Sequence, residues 1–284
     1  MTETSGWTES EIGTRIFWRR RTAGPAAQAV LLFVHGLAEH SGRYLHVLDH
    51  FAARGFDCWA LDYRGHGQSP GLRVHVDRFG EFDEDVAAVR HLAATTCAGL
   101  PLVLVGHSQG GLLVLRQALA EPQGLAGIIV SSPFLGIHPD SKPPAALQMV
   151  ANIVSTFAKR LMFSKVADPA LLSHRPGVAE TYVADPLVSS TVSARWFTEV
   201  VRAQAETGVG AAGISVPALI MQSGDDRLAD PAATRSWADN APAHLVEYVE
   251  WDGFYHEMFN ELECEQVFAR MERWLDALLR ISAE

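Results

Sequence analysis

The stretch LPLVLVGHSQGGLLVLRQALAE (100–121) indicates both how this chain folds and where its chemistry lies. It begins as a short apolar run that is typical of a buried strand and continues with the apolar spacing of a helix. Between the two lies Ser108, in a Gly-x-Ser-x-Gly pattern with Gly106 and Gly110. A serine in such a strand-to-helix turn projects its hydroxyl off the sheet edge, where side chains on the flanking residues would clash. The stretch therefore predicts a nucleophilic serine at a helix N-terminus, where the helix dipole favours developing negative charge.

The rest of the chain repeats this alternation of strand and helix. Apolar runs bounded by turn residues predict strands at 29–34, 56–62, 100–106, 125–132, 216–223 and 244–251. Amphipathic patterns predict helices at 42–54, 82–96, 110–121, 232–240 and 261–279. Continuous apolar strands between amphipathic helices predict an α/β fold whose mostly parallel central sheet is covered on both faces. The polar-alternating stretch TRIFWRR (14–20) is predicted to be an antiparallel edge strand.

One region interrupts the alternation. Residues 134–190 contain helical patterns without a convincing strand, and they open with the helix-breaking run HPDSKPP (138–144). We interpret this region as a mainly helical cap inserted into the sheet domain. The predicted organisation is therefore a core of residues 1–133 and 191–284 and a cap of residues 134–190.

Composition excludes several classes of protein. The 284 residues are enough for one large domain with a buried core. With 23 basic and 33 acidic residues the formal net charge is −10, and without a Lys/Arg block the chain has no electrostatic footprint for nucleic acid. Three scattered cysteines form no CxxC pair and suggest reduced thiols in a cytoplasm. The polar start MTETSGWTES predicts no signal peptide, and no apolar run is long enough to span a bilayer.

A nucleophilic serine needs a base and an acid that orients the base. Of twelve histidines, only His256 lies beyond the last predicted strand, where the order Ser, Asp/Glu, His of this fold places the base. The acid is expected after the strand that ends near residue 223, where Asp225 and Asp226 are adjacent. Neighbouring side chains point in different directions, and the residues alone leave the choice open. Asp230, directly before Pro231, is better explained as a helix N-cap.

The oxyanion of the reaction needs two backbone N–H groups. One is expected from the residue after the nucleophile, Gln109, and the other from Leu37, in the turn after the strand 29–34. Glu39, Arg43 and Tyr44 follow this turn and are predicted to brace it rather than to act in the reaction.

Five motifs together resemble the monoacylglycerol lipases and related lysophospholipase-like serine hydrolases of the α/β-hydrolase fold. They are HGLAEHSGRY (35–44), DYRGHGQSPG (62–71), GHSQGG (106–111), GDDRLAD (224–230) and YHEMFNE (255–261). The resemblance implies that the catalytic aspartate is the one directly before Arg-Leu, Asp226. This sequence departs from the family at Ser223, where the family usually has glycine. The resemblance also implies that the oxyanion amides are those of Leu37 and Gln109, and that neither a metal nor a cofactor is needed.

The function implied is hydrolysis of a lipid-like carboxylic ester through an acyl-enzyme on Ser108, with monoacylglycerol as the expected substrate. A lysophospholipase, a general carboxylesterase or a thioesterase has the same catalytic residues and would differ in its cap. A non-catalytic ligand-binding protein on this scaffold is a remote alternative, since fold does not determine function. A nucleotide-binding protein is disfavoured because the chain has neither a phosphate loop nor a GxGxxG turn.

Within the cap, residues 145–163 are apolar, with no charge until Lys159. Such a helix packs on the core, lines an acyl pocket or rests on lipid. We favour the latter two, which predicts peripheral membrane contact through the cap of an otherwise cytoplasmic protein.

Overall fold

Strands and helices alternate along the polypeptide. The computed structural model describes residues 2–22, 24, 26–142, 144–164 and 167–281; the other positions of the predicted core and cap lie outside the described residues. The strands are β1 (Thr2–Glu9), β2 (Arg15–Thr22), β3 (Val30–Val34), β4 (Asp57–Asp62), β5 (Leu102–His107), β6 (Gly127–Ser131), β7 (Met162–Ser164), β8 (Thr191–Ser193), β9 (Ala218–Ser223) and β10 (Val246–Trp251). The helices are α1 (Leu45–Ala52), α2 (Gly80–Thr96), α3 (Gln109–Ala120), α4 (Ala145–Phe157), α5 (Val178–Ala184), α6 (Ala194–Gly208), α7 (Pro231–Asp239) and α8 (Cys264–Ile281).

The central sheet has eight strands in the order β1-β2-β4-β3-β5-β6-β9-β10. From β4 to β10 every neighbouring pair is parallel, whereas β2 pairs antiparallel with both β1 and β4. The mostly parallel sheet predicted from the sequence is therefore confirmed. Because parallel strands end at the same edge of a sheet, the turns after β3, β5, β9 and β10 open on one side of the molecule.

Both faces of the sheet are buried. In β3 the side chains of Val30, Leu32 and Val34 belong to one apolar cluster, and those of Leu31 and Phe33 to another, as the two-residue period of a strand requires. Helices α2, α3 and α6 contribute to the first cluster, and α1 and α8 to the second. Full burial of one such side chain stabilises the fold by about 1.5–3 kcal/mol, so the ends of β3 and β5 are firmly held.

The position of the edge strand differs from the prediction. The stretch predicted as an edge strand is β2, which lies inside the sheet, and β1 is the edge. The strand β1 pairs with β2 over eight residues and is mostly exposed, so it lacks the apolar alternation by which a strand is recognised. Trp7 packs edge-on against Phe17 of β2, with ring centroids 5.4 Å apart.

Between β6 and β9 the chain leaves the sheet. We refer to residues 134–190 as the cap segment; among its described residues are α4, β7 and α5. The short strand β7, which the sequence did not predict, pairs antiparallel with β8, just beyond the predicted end of the cap. Helix α4 packs against α6, where the hydroxyls of Ser155 and Thr198 lie 2.7 Å apart. None of the helices in the described part of the chain is long and apolar enough to cross a membrane.

Candidate active site

Ser108 lies at the tight turn between β5 and α3, with φ of 53° and ψ of −119°. A non-glycine residue in such a conformation stores about 1–3 kcal/mol of strain. The turn tolerates no side chain at its two glycines: a Cβ on Gly106 would lie 2.4 Å from the Gly110 oxygen, and one on Gly110 would lie 2.0 Å from the Val34 oxygen. The serine backbone is held by hydrogen bonds from its N–H to the Ser131 carbonyl (3.0 Å) and to its carbonyl from the Phe134 N–H (2.9 Å).

The three residues predicted as a catalytic triad form one hydrogen-bonded chain. Ser108 Oγ lies 2.9 Å from His256 Nε2, and His256 Nδ1 lies 2.7 Å from Asp226 Oδ2. The other oxygen of Asp226 accepts the N–H groups of Leu228 (2.8 Å) and Ala229 (3.0 Å). All three catalytic candidates are buried, so the hydrogen bonds are little weakened by competition with water.

The pair of adjacent aspartates that the sequence left open is separated by the fold. Asp226 points inward to His256, whereas the side chain of Asp225 is exposed and its N–H donates to the Phe254 carbonyl at 3.1 Å. Asp230 accepts the N–H of Ala232 at 3.0 Å at the start of α7, which confirms its prediction as an N-cap.

The two buried histidines of the site have opposite pKa shifts. Burial opposes charge on His256, but the negative charge and hydrogen bond of Asp226 outweigh it, and the pKa of His256 is raised. Burial and the proximity of His256 lower the pKa of His107 to about 3. The His107 and His256 rings are 4.8 Å apart, so charge on one disfavours charge on the other, and the two shifts favour a proton on His256 over one on His107.

The two N–H groups predicted for the oxyanion hole are free to bind. Among the described residues, neither the Leu37 N–H nor the Gln109 N–H has an acceptor. Gln109 is the first residue of α3, so its N–H also lies at the positive end of the helix dipole. Leu37, Ser108 and His256 all border the same cavity.

A buried ion-pair cluster braces the turn that contains Leu37. Glu39 accepts the Gly36 N–H at 2.6 Å and the Tyr44 hydroxyl at 2.7 Å, and it pairs with Arg43. Arg43 also donates two hydrogen bonds to Glu257, of 2.6 and 2.8 Å. Burial opposes charge on Glu39, yet Arg43 beside it lowers the pKa of this carboxyl. The sequence predicted the bracing role of Glu39, Arg43 and Tyr44 but missed Glu257, which links the turn of Leu37 to the loop of His256.

The cavity in front of Ser108 has a volume of about 650 Å³, within the size range of small-molecule sites. Most of its wall is apolar. The lining apolar side chains are Leu37, Phe134, Ile137, Ala151, Phe163, Ala167, Leu171, Leu172, Val192, Trp196, Phe197 and Leu228. The acidic residues Glu39, Asp140, Asp168 and Glu257 also line it. The cavity therefore fits a ligand that is mainly apolar and has a polar end.

The cap segment is hydrogen-bonded to both loops of the site. Next to the turn of Leu37, His40 Nε2 lies 2.8 Å from Asp185 Oδ2, and the Ser189 N–H donates to the Ala38 carbonyl at 2.8 Å. On the other side, the Glu257 N–H donates to the Leu172 carbonyl at 2.8 Å. Residues of the cap segment thus line the cavity while being tied to the loops that carry Leu37 and His256.

No group of three or more histidine, cysteine or carboxylate side chains suited to a metal ion occurs in the described residues. The three cysteines are buried and unpaired.

Fold and site together define a serine hydrolase of the α/β-hydrolase class. The family model Hydrolase_4, described as serine aminopeptidase, S33, matches residues 25–263. The chain belongs to this family.

Individual relatives agree with this assignment. The chain is 32% identical to a monoacylglycerol lipase of Mycolicibacterium smegmatis over 269 residues, which is 93% of each chain. It is also 32% identical to phospholipase YtpA of Bacillus subtilis over 250 residues, 87% of this chain and 95% of that one. The crystal structure of a Paleococcus ferrophilus monoacylglycerol lipase is similar with a TM-score of 0.79, 28% identity and 99% coverage of both chains. The resemblance predicted from the five motifs is confirmed.

Proposed function

We propose that the chain hydrolyses the carboxylic ester of monoacylglycerols, releasing a fatty acid and glycerol. The observation that carries the proposal is the hydrogen-bonded chain from Ser108 through His256 to Asp226, which opens on a largely apolar cavity. Further support comes from the relatives named as monoacylglycerol lipases.

The geometry supports a two-step acyl transfer. Ser108 Oγ attacks the ester carbonyl carbon while His256 Nε2 takes its proton, and the carbonyl oxygen becomes an oxyanion that accepts the N–H groups of Leu37 and Gln109. The carbon–oxygen bond to the alcohol then breaks, and the alcohol leaves with the proton from His256. A water molecule attacks the acyl-enzyme in the same way, releasing the fatty acid and returning the proton to Ser108. In both steps Asp226 holds the imidazole in the correct tautomer and stabilises its charged form.

We assign the choice of substrate to residues 134–190, acting as a cap over the core formed by residues 1–133 and 191–284. Support comes from the cavity wall, to which this segment contributes Ala151, Phe163 and Leu172. Apolar walls accept an acyl chain, and the acidic residues Asp140 and Asp168 at the same cavity suit hydrogen bonding to hydroxyl groups.

Hydrolysis of lysophospholipids is the second candidate, because the similarity to the phospholipase of Bacillus subtilis is as high as that to the monoacylglycerol lipase. A general carboxylesterase would have the same catalytic residues and would lack a preference for acyl chains.

A substrate panel separates these candidates. Hydrolysis of 1-monoacylglycerols of increasing chain length is compared with that of lysophosphatidylcholine and a short p-nitrophenyl ester, for wild type and Ser108→Ala. We expect a preference for medium or long monoacylglycerols and no turnover by the variant. Turnover of only the short ester would contradict the lipase proposal, and an active Ser108→Ala protein would contradict the assignment of the nucleophile.

We further propose that the outer face of α4 rests on lipid, so that a cytoplasmic protein associates peripherally with membranes. Met149, Val150, Ile153 and Phe157 are all exposed on this helix, and Phe157 is 87% exposed. Contiguous exposed apolar side chains of this kind mark interaction surfaces. The sparse, unpaired cysteines support the assignment to a reducing compartment.

Flotation with phosphatidylcholine vesicles tests this surface. We expect the double variant Ile153→Ser/Phe157→Ser to float less than wild type, while Val209→Ser, which removes an equally exposed apolar side chain at the end of α6, floats as wild type does. Wild-type protein that does not float would contradict the proposal.

A further inference from the structure

A second hydrogen-bonded chain lies on the core side of the oxyanion hole. The Trp196 indole N–H donates to the side-chain oxygen of Gln109 at 2.7 Å, and the Gln109 side-chain N–H₂ donates to the Tyr63 hydroxyl at 3.1 Å. The Tyr63 hydroxyl then donates to the Gly36 carbonyl at 2.7 Å. Tyr63 and Gln109 are fully buried and Trp196 is 5% exposed, so these hydrogen bonds are shielded from water.

The carbonyl at the end of this chain belongs to the peptide group that supplies one oxyanion donor. The Gly36 C=O and the Leu37 N–H share one planar trans peptide, and they point in opposite directions. A hydrogen bond that fixes the carbonyl towards the core therefore also fixes the direction of the N–H. It polarises the peptide as well, which strengthens the N–H as a donor.

Two donors hold this carbonyl. Besides Tyr63 Oη, the ring Nδ1 of His35 lies 2.7 Å from the Gly36 oxygen. The His35 and Tyr63 rings are stacked, with centroids 4.1 Å apart and planes at 16°. Burial lowers the pKa of His35 and raises that of Tyr63, which favours the neutral imidazole and the protonated phenol. The Tyr63 hydroxyl has an acceptor in Gly36 and a donor in Gln109, which determines the direction of its proton.

We propose that Tyr63 is a positioning residue of the oxyanion hole, which aims and polarises the Leu37 N–H through the Gly36 carbonyl. Gln109 has two roles in this arrangement: its side chain donates a hydrogen bond to the Tyr63 hydroxyl, and its backbone N–H is the second oxyanion donor. Trp196 lines the cavity and forms the outer end of the chain. The inference rests on the proposed function, since it assumes that an oxyanion forms next to Leu37.

The variant Tyr63→Phe removes the hydroxyl and keeps the stacked ring. Loss of a direct oxyanion donor lowers kcat by about 100- to 1000-fold, and because Tyr63 acts through the peptide we expect roughly a tenfold loss. The KM for a short p-nitrophenyl ester should change little, and the melting temperature should fall by several degrees at most, since one buried hydroxyl is lost. Tyr248→Phe, which removes a hydroxyl bonded to Glu250 on β10, is the matched control and should keep the wild-type kcat.

A second readout distinguishes positioning from general support of the fold. An alkyl trifluoromethyl ketone forms a bond from Ser108 Oγ to its carbonyl carbon, the serine proton passes to His256, and the resulting oxyanion stays in the oxyanion hole. Tyr63→Phe should weaken binding of this inhibitor by about the same factor as it lowers kcat/KM, since the inhibitor mimics the transition state. A merely structural role would leave the two factors unrelated.

Gln109→Met keeps the backbone N–H and removes the side chain's links to Tyr63 and Trp196. We expect a smaller kcat loss than in Tyr63→Phe, and a double variant whose loss is less than the product of the two single losses, because both changes act on one peptide. This variant also tests the proposal if Tyr63→Phe does not fold.

The inference is overturned if Tyr63→Phe, or Gln109→Met in its place, folds and keeps both its kcat and its affinity for the trifluoromethyl ketone. That result, together with an inactive Ser108→Ala protein, would leave the proposed function intact. An active Ser108→Ala protein would instead contradict the proposed function itself.

Discussion

The two walls of the cavity are built differently. On the core wall, Ser108, His256 and the oxyanion turn are held by short hydrogen bonds and by a strained serine between two buried glycines. On the cap wall, α4 contributes Ala151 to the cavity, while its outer face leaves Ile153 and Phe157 exposed.

The difference indicates a division of labour. Directional hydrogen bonds between buried groups hold reacting atoms within the tolerance that acyl transfer requires. Apolar packing is less directional and accommodates chains of different length and shape. Changes in the core wall should therefore affect the rate for every ester, and changes in the cap wall should affect which esters are preferred.

The largest effect is expected from Asp226→Asn. Loss of the carboxylate leaves His256 without the partner that stabilises its charged form, and in serine proteases the equivalent change lowers kcat by about 10⁴-fold. Asp225→Asn is the matched control, because its side chain is exposed, and it should keep wild-type activity on all esters. If Asp225→Asn were the inactive variant, the inward orientation of Asp226 would be contradicted.

A large effect on stability is expected from Arg43→Met. This change leaves the buried carboxylates of Glu39 and Glu257 facing each other without their shared cation, and breaking such a buried pair costs about 3–5 kcal/mol of unfolding free energy. Chemical denaturation measures it. Arg78→Met removes an exposed arginine from a surface pair and should cost no more than about 1 kcal/mol. Equal losses in the two variants would contradict a stabilising role for the buried cluster.

The pH dependence of kcat/KM tests the coupling between the core residues. His256 acts as a base only when neutral, so activity should rise with pH, with a midpoint above the ordinary histidine pKa of 6.5 because that of His256 is raised. In Asp226→Asn the residual activity should have a lower midpoint, since the negative charge that raises the pKa is gone. The Asp225→Asn profile should match wild type. An unshifted midpoint in Asp226→Asn would show that another group determines the profile.

The core wall was largely predictable from the sequence because its signals are local. The Gly-x-Ser-x-Gly spacing and the apolar runs placed Ser108, and the strand ends located the turns of Leu37 and His256. The adjacent aspartates could not be separated by local pattern, because only packing determines which of them faces the histidine. The resemblance to a known family selected Asp226, in agreement with the geometry.

Links between distant segments could not be predicted. Tyr63 and Gly36 are separated by 27 residues, and Arg43 and Glu257 by 214. The periodicity of apolar residues predicts helices and strands, but it does not predict which side chains of distant segments make contact. The edge strand β1 was missed because solvent reaches most of its side chains. The three-residue strand β7 of the cap segment and its partner β8, just beyond that segment, are too short to show an alternation.

The smallest effect should come from the cap wall. Ala151 is buried in α4 at the cavity, so Ala151→Leu narrows the space for an acyl chain and should raise KM for long-chain monoacylglycerols by roughly tenfold, since added methylenes in a packed pocket cost about 1–3 kcal/mol. The rate on a short p-nitrophenyl ester should stay within about twofold of wild type, because the core wall is untouched. Asn152→Leu places the same side chain on the exposed side of α4 and should leave both rates unchanged. A uniform loss on short and long esters in Ala151→Leu would mean that the cap also holds the reacting groups in place, and the two walls could no longer be assigned separate tasks.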